Sequence, residues 1–192
     1  MARNKAFDPG ERLEKARDLF WEKGYHATSM QDLVEAMQLN RASIYDTYGD
    51  KHALFVQCLA NYATGKQEDY KRSAAGVESP IRSVECIIRR ALERTIEDGK
   101  ACMATKSAFE LGEYDKEVRE LLKKDGVRLA KVFEELLRKA QAAGEISKDR
   151  DPVVLANYIV ANFSGLWQAN ILSGNRKLVQ QMTEFLIEVI KQ

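Results

Sequence analysis

Residues 28–54 read TSMQDLVEAMQLNRASIYDTYGDKHAL, and this stretch decides the fold. Met30, Leu33, Val34 and Met37 fall at i, i+3, i+4 and i+7, an apolar stripe with the period of an α-helix. Thr28 opens that helix as N-cap, with Gln31 three residues on as its reciprocal partner. Gln38-Leu39-Asn40 makes a turn, and a short helix follows from about Arg41 to Thr47, stopped by Gly49. Two short helices joined by a turn of three to four residues form the helix-turn-helix pattern. The second of them is too short to be stable alone. Ile44, its one strongly apolar residue, and Tyr48 one turn later face the bracing helices. Arg41, Ala42, Ser43, Tyr45 and Asp46 are left outside, free to enter a major groove.

That outer face has the chemistry for the task. Arg41 can bond guanine O6 and N7 or a phosphate, and Tyr45 can donate to a phosphate. Ala42 and Ser43 are small enough to allow close approach to base edges. Asp46 repels phosphates but can accept from cytosine N4. Ahead of the motif, Arg3 and Lys5 have two readings: an ordinary tail, or an arm reaching into the minor groove.

Outward from the motif the chain reads as all-α, with about nine helices. Its three prolines, Pro9, Pro80 and Pro152, each follow a good N-cap, Asp8, Ser79 and Asp151. Proline suits the first helical position because that N–H lacks an intrahelical partner. The first helix spans about Pro9 to Lys23, with Leu13, Ala16 and Phe20 inward. A fourth, capped by Asp50, runs to about Arg72 on Leu54, Phe55, Cys58, Leu59 and Tyr62. Ser73 to Ser79 is the linker candidate. Further helices span about Pro80 to Glu97, Cys102 to Leu111, Asp115 to Ala143, Pro152 to Leu172 and Arg176 to Lys191.

Composition narrows the function. The 192 residues carry a net charge of only +1, and residues 1–50 hold seven Lys/Arg against nine Asp/Glu. Any nucleic-acid reading therefore rests on where the cations lie. Three widely spaced cysteines, Cys58, Cys86 and Cys102, and two histidines give neither a disulfide framework nor a zinc spacing. No nucleophile–base motif, Gly-rich phosphate loop or metal-spaced cluster points to an enzyme or a cofactor. With no apolar run long enough to span a membrane and no secretory leader, a cytoplasmic protein is expected.

Residues 9–59 resemble the DNA-binding domain of the TetR family of transcriptional repressors. The resemblance is carried by ARDLFWEKGY (16–25), TSMQDLVEAM (28–37) and SIYDTYGDKHAL (43–54). These follow, without a gap, the family's F-x-x-x-G-[YF], T-[ST]-x-x-x-I-A and Y-x-x-F-x-x-K-x-x-L runs. The resemblance implies that Thr28 and Ser29 touch the DNA backbone, that Tyr45 and Lys51 hold phosphates, and that Arg41, Ala42, Ser43 and Asp46 face bases. Gln38 stands where the family often has glycine, at a strain on the order of 1 kcal/mol if its φ is positive. Gly49 stands where proline is frequent, and Gln31 where a basic residue is common.

The resemblance also implies a homodimer. In it residues 1–55 bind double-stranded operator DNA, a fourth helix over 50–72 connects, and residues 56–192 bind an effector and dimerise. The expected activity is that of a repressor released by a small apolar effector. On the eighth helix Tyr158, Ala161, Gly165 and Ala169 recur at helical spacing. Met182, Phe185 and Val189 do the same on the ninth, so a four-helix interface is expected. An apolar pocket among the fourth through eighth helices would take walls from Tyr62, Phe109, Phe163 and Trp167 and polar handles from Asn162 and Gln168. The other reading of these aromatics is plain core. Cys102, at a helix start after Lys100, is either a small buried hydrophobe or a reactive thiol sensing an oxidant or electrophile. A helical adaptor that does not bind DNA is the alternative outside this class.

Overall fold

The computed structural model describes residues 7–97 and 102–192, and the expectations for Arg3 and Lys5 lie outside them. Among the described residues the order is α1 (Pro9–Lys23), α2 (Met30–Met37), α3 (Arg41–Tyr48), α4 (Lys51–Ser73), α5 (Pro80–Glu97), α6 (Met103–Leu111), α7 (Lys116–Ala142), α8 (Pro152–Ser173) and α9 (Arg176–Lys191), with no strand. The caps explain the boundaries. Asp8 and Asp151 accept from backbone N–H groups of the first turns of α1 and α8, each opened by proline. Asn40 caps α3 by accepting from Ser43 N–H at 2.8 Å.

The chain forms two compact units. The first holds residues 1–65 together with Met103–Leu122, and the second holds Lys66–Cys102 and Lys123–Gln192. A division at residue 55 was expected. The first unit includes part of α4 together with α6 and the start of α7.

The core of the first unit is Ala16, Phe20, Leu33, Met37, Ile44, Leu54, Phe55, Cys58 and Leu59, all at most 1% exposed. Phe55 meets Phe20 and Tyr25 edge-on, with centroids 5.1 and 5.0 Å apart, a geometry aromatic quadrupoles favour. Cys58 is plain core, its thiol pushed up by burial. The second unit is built on Val84, Ile87 and Ile88 of α5, Phe133, Leu137 and Ala140 of α7, Ile159 of α8 and Val179 and Ile190 of α9. Within it lies a buried ion pair: Lys66 Nζ stands 2.7 Å from Asp125 Oδ2, and Gln67 Nε2 donates to Asp125 Oδ1 at 2.7 Å.

Candidate nucleic-acid interface

Helix α3 is placed by what it buries. Ile44 is fully buried and Tyr48 5% exposed. The Tyr48 hydroxyl donates to Pro9 O at 2.7 Å, which fixes α3 against the start of α1. The rest of the helix turns outward: Arg41, Ala42, Tyr45 and Asp46 are exposed and Ser43 is half-buried. Arg41 makes no ion pair among the described residues, so its guanidinium is available to an acceptor.

The turn before α3 adopts the strained form. Gln38 has φ 52 and ψ 43, left-handed, where glycine would sit without cost. Its amide offers a partial return by accepting from Arg12 Nη1 at 3.2 Å.

The start of α2 differs from the expectation. Ser29 is the N-cap and Asp32 its partner: Ser29 Oγ accepts from Asp32 N–H, and Asp32 Oδ2 accepts from Ser29 N–H at 2.8 Å. Thr28 is fully buried and its hydroxyl donates to Gly24 O at 2.6 Å. Thr28 is therefore a structural residue of the α1–α2 turn, and only Ser29 is presented at the surface. Gln31, expected as box partner, is exposed and bonds Glu35 instead. The hydrogen bond from Lys23, then those from Ser29, hold the Asp32 carboxyl far below the usual carboxylate range.

Lys51 opens α4 with its ammonium over the Tyr25 ring, 4.5 Å from the centroid. Burial lowers its pKa, while Glu110 and Asp32 act the other way. Tyr25, which the sequence reading did not single out, is thus the platform of a phosphate-binding candidate. The structure brings Ser29, Arg41, Ala42, Ser43, Tyr45, Asp46 and Lys51 into the first compact unit.

The expected effector residues are distributed differently. Tyr62 is 6% exposed and meets Trp21 edge-on at 5.1 Å, so it completes the first unit's core. Phe109 is 83% exposed, because the buried positions of α6 are Met103, Ser107 and Leu111 and Phe109 points away from them. Neither belongs to the wall of a pocket in the second unit. There, Phe163 is half-buried between Tyr70 and Phe133, and Trp167 is half-buried with its indole N–H shielded and without an acceptor among the described residues. Asn162 is tied to Tyr158 O of its own helix, Gln168 is exposed, and Cys102 is half-buried just before α6. A groove of about 470 Å³ between α5 and α9 is polar: Arg89 pairs with Glu184 and Lys191 with Glu85 across it. It does not have the apolar walls expected of the effector site.

On α8, Val154 (63% exposed), Tyr158 (42%), Ala161, Gly165 and Leu172 (76%) form one stripe opposite the buried Leu155, Ile159 and Leu166. On α9, Leu178, Met182 and Phe185 (64% exposed) form another. Ala169 and Val189 are half-buried, and Ala169 packs against the unit's own core.

A braced short helix with an outward polar face, joined to a separate helical unit, defines the class: a helix-turn-helix DNA-binding regulator. The chain matches the family model of the bacterial regulatory proteins of the tetR family over residues 13–58, and that of the tetracyclin repressor-like C-terminal domain over residues 81–186. It belongs to the TetR family, a family of DNA-binding transcriptional regulators rather than of enzymes.

Among its relatives is the uncharacterized HTH-type transcriptional regulator YezE of Bacillus subtilis (strain 168), 33% identical over 162 residues, 83% of this chain and 84% of that one. Another is the HTH-type transcriptional repressor DhaR of Mycobacterium sp. (strain GP1), 24% identical over 93% of this chain and 89% of that one. Among solved structures, a cysteine-substituted form of the TetR family regulator CifR, complexed with a 26-base-pair double-strand operator DNA, is similar with a TM-score of 0.85, 26% identity, and coverage of 97% of this chain and 98% of that one. No helix among the described residues is long and apolar enough to cross a membrane.

Proposed function

We propose that the protein is a homodimeric repressor that reads operator DNA with α3 and is released by a small apolar effector. One observation carries this reading. Helix α3 sinks Ile44 and Tyr48 and turns Arg41, Ala42, Tyr45 and Asp46 outward. Arg41, Ala42, Ser43 and Asp46 face base edges, while Tyr45, Lys51 and Ser29 hold phosphates. The similarity to CifR, described with operator DNA bound, and to DhaR, named a repressor, supports the DNA target and the sign of regulation. Such a protein acts in the cytoplasm, where bacterial DNA is.

The dimer forms through the exposed α8 and α9 stripes of two copies, as a four-helix interface. Gly165 and Ala161 keep the helices close; a Cβ on Gly165 would meet nothing within 4 Å in a single copy, so its smallness serves a partner. The effector site uses Phe163 and Trp167 of α8. The shielded Trp167 N–H supports this, since a buried donor without an acceptor is rare and a ligand oxygen would satisfy it. A second reading, in which Cys102 senses an electrophile, rests on its half-buried place just before α6. If release by an electrophile persists in Cys102→Ser, the thiol is a bystander.

The test of DNA reading is selection of bound duplex from a random pool, then binding of variants across a salt series. Arg41→Ala should cost about 1–3 kcal/mol at one base position and relax preference there. Lys51→Ala should weaken all sequences alike and lower the salt slope by roughly one. An unchanged selected motif in Arg41→Ala refutes the base-reading assignment.

A further inference from the structure

Helix α6 carries Lys106 and Glu110 at i and i+4, a spacing at which such residues ordinarily pair with each other. Here they do something else. Lys106 Nζ donates to Trp21 O at 3.3 Å and to Glu22 O at 2.7 Å. Those carbonyls are among the four that the C-terminus of α1 leaves without intrahelical donors. Glu110 takes the complementary groups: Oε2 accepts from Tyr25 N–H at 3.0 Å and Oε1 from His26 N–H at 2.7 Å. Two successive N–H groups converging on one anion form a nest. One helix thus satisfies both the carbonyl and the amide ends of the α1–α2 turn.

The turn is shaped for this clasp. Gly24 has φ +88, and a Cβ there would stand 2.8 Å from Glu110 Oε2. What the clasp holds adjoins the DNA-facing groups. Tyr25 carries the Lys51 ammonium on its ring, and Ser29, the α2 cap, lies three residues beyond His26. All of these residues belong to one compact unit.

We propose that Glu110 and Lys106 are positioning residues for operator binding. Through the turn at 24–26, α6 sets Ser29 and Lys51 at the spacing the DNA backbone requires, without touching DNA. This inference rests on the DNA-binding reading above.

The test uses the full-length protein, its selected operator, and amide hydrogen exchange. In Glu110→Gln one acceptor oxygen becomes an NH2 facing a backbone N–H. Exchange at Tyr25 and His26 should then accelerate while Ile44 and Leu54 stay protected, and operator binding should weaken about tenfold. Glu110→Asp, which keeps the charge one methylene short, should lose less. Operator affinity within about twofold of the parent, despite faster exchange at 25 and 26, overturns the proposal, as does unchanged exchange there. If Glu110→Gln unfolds the unit, seen as lost protection at Ile44, Lys106→Met decides. Weakened binding with Ile44 protected supports the proposal, and undiminished binding overturns it. Failure of the underlying reading is distinct, because the parent protein itself would then show no salt-dependent DNA binding.

Discussion

Asp125→Ala tests the buried ion pair of the second unit. Asp125 is 4% exposed and Lys66 7% exposed, and the carboxylate is the acceptor for both the Lys66 ammonium and the Gln67 amide at 2.7 Å. Removing it leaves a cation and an amide N–H facing each other where water has little access. Breaking a buried pair from one side costs about 3–5 kcal/mol. An exposed pair would cost about 1 kcal/mol or less, so burial decides the magnitude. Against a total stability of about 5–15 kcal/mol, the loss is a large fraction. At roughly 2–4 °C per kcal/mol for a chain of this size, Tm should fall by about 6–20 °C. The assay is thermal and urea unfolding followed by far-ultraviolet circular dichroism. The control removes both charges: Lys66→Met with Asp125→Leu should cost much less than Asp125→Ala, since no buried charge is then left unpaired and only the half-buried Gln67 amide loses its acceptor. A loss below about 1 kcal/mol in Asp125→Ala would show that the pair behaves as a solvated surface bridge, and the argument from burial would be wrong.

Three further outcomes are expected. Gly24→Ala should destabilise by about 1–3 kcal/mol, because φ 88 and ψ 174 lie in a region essentially reserved for glycine, and denaturant midpoints would reveal an error if the cost were absent. Gly165→Glu should yield monomers by sedimentation and weaken operator binding, because it places a charge in the middle of the α8 stripe; an undiminished dimer would refute the four-helix assignment. On acidification the protein should lose stability as the pH falls through about 4. Burial raises Asp69 and Asp115, but Arg90 and Arg94 outweigh it at Asp69, and the Val118 N–H with His52 outweighs it at Asp115, so both end below their usual range, with Asp32 lower still. The unfolded chain then takes up these protons first, and a stabilisation present in full above that pH is withdrawn below it. A urea midpoint that does not move between about pH 6 and pH 3 would contradict this, and Asp69→Asn should reduce the movement.

The parts legible in the sequence are those set by local periodicity and capping. The Met30–Met37 stripe, the prolines after Asp8 and Asp151, and the lone Ile44 of α3 sufficed to place α1, α2, α3 and α8 within a residue or two. The same local logic misled at α2. Thr28 and Ser29 both satisfy an N-cap rule, and only the tertiary turn shows Thr28 folding its hydroxyl back onto Gly24 O while Ser29 pairs with Asp32. Pocket residues were the least legible. Tyr62 and Phe109 are both aromatic residues on helices, but one is buried against Trp21 and the other points to solvent. No spacing rule distinguishes them.

Charged residues were illegible for a different reason. Spacing alone would pair Lys106 with Glu110 at i,i+4, and nothing in the sequence around Asp125 marks it as a buried partner. In the fold each instead satisfies groups distant in sequence: the end of α1, the turn at 25–26, and Lys66. A backbone N–H left over by a turn, or an ammonium enclosed by packing, leaves no mark in the sequence around the residue that will satisfy it. The helices that carry the DNA-facing side chains can therefore be read from one stretch of sequence. The contacts proposed to hold them at a fixed spacing come from α6, some 80 residues later, and appear only when each backbone group of the turn is followed to its partner.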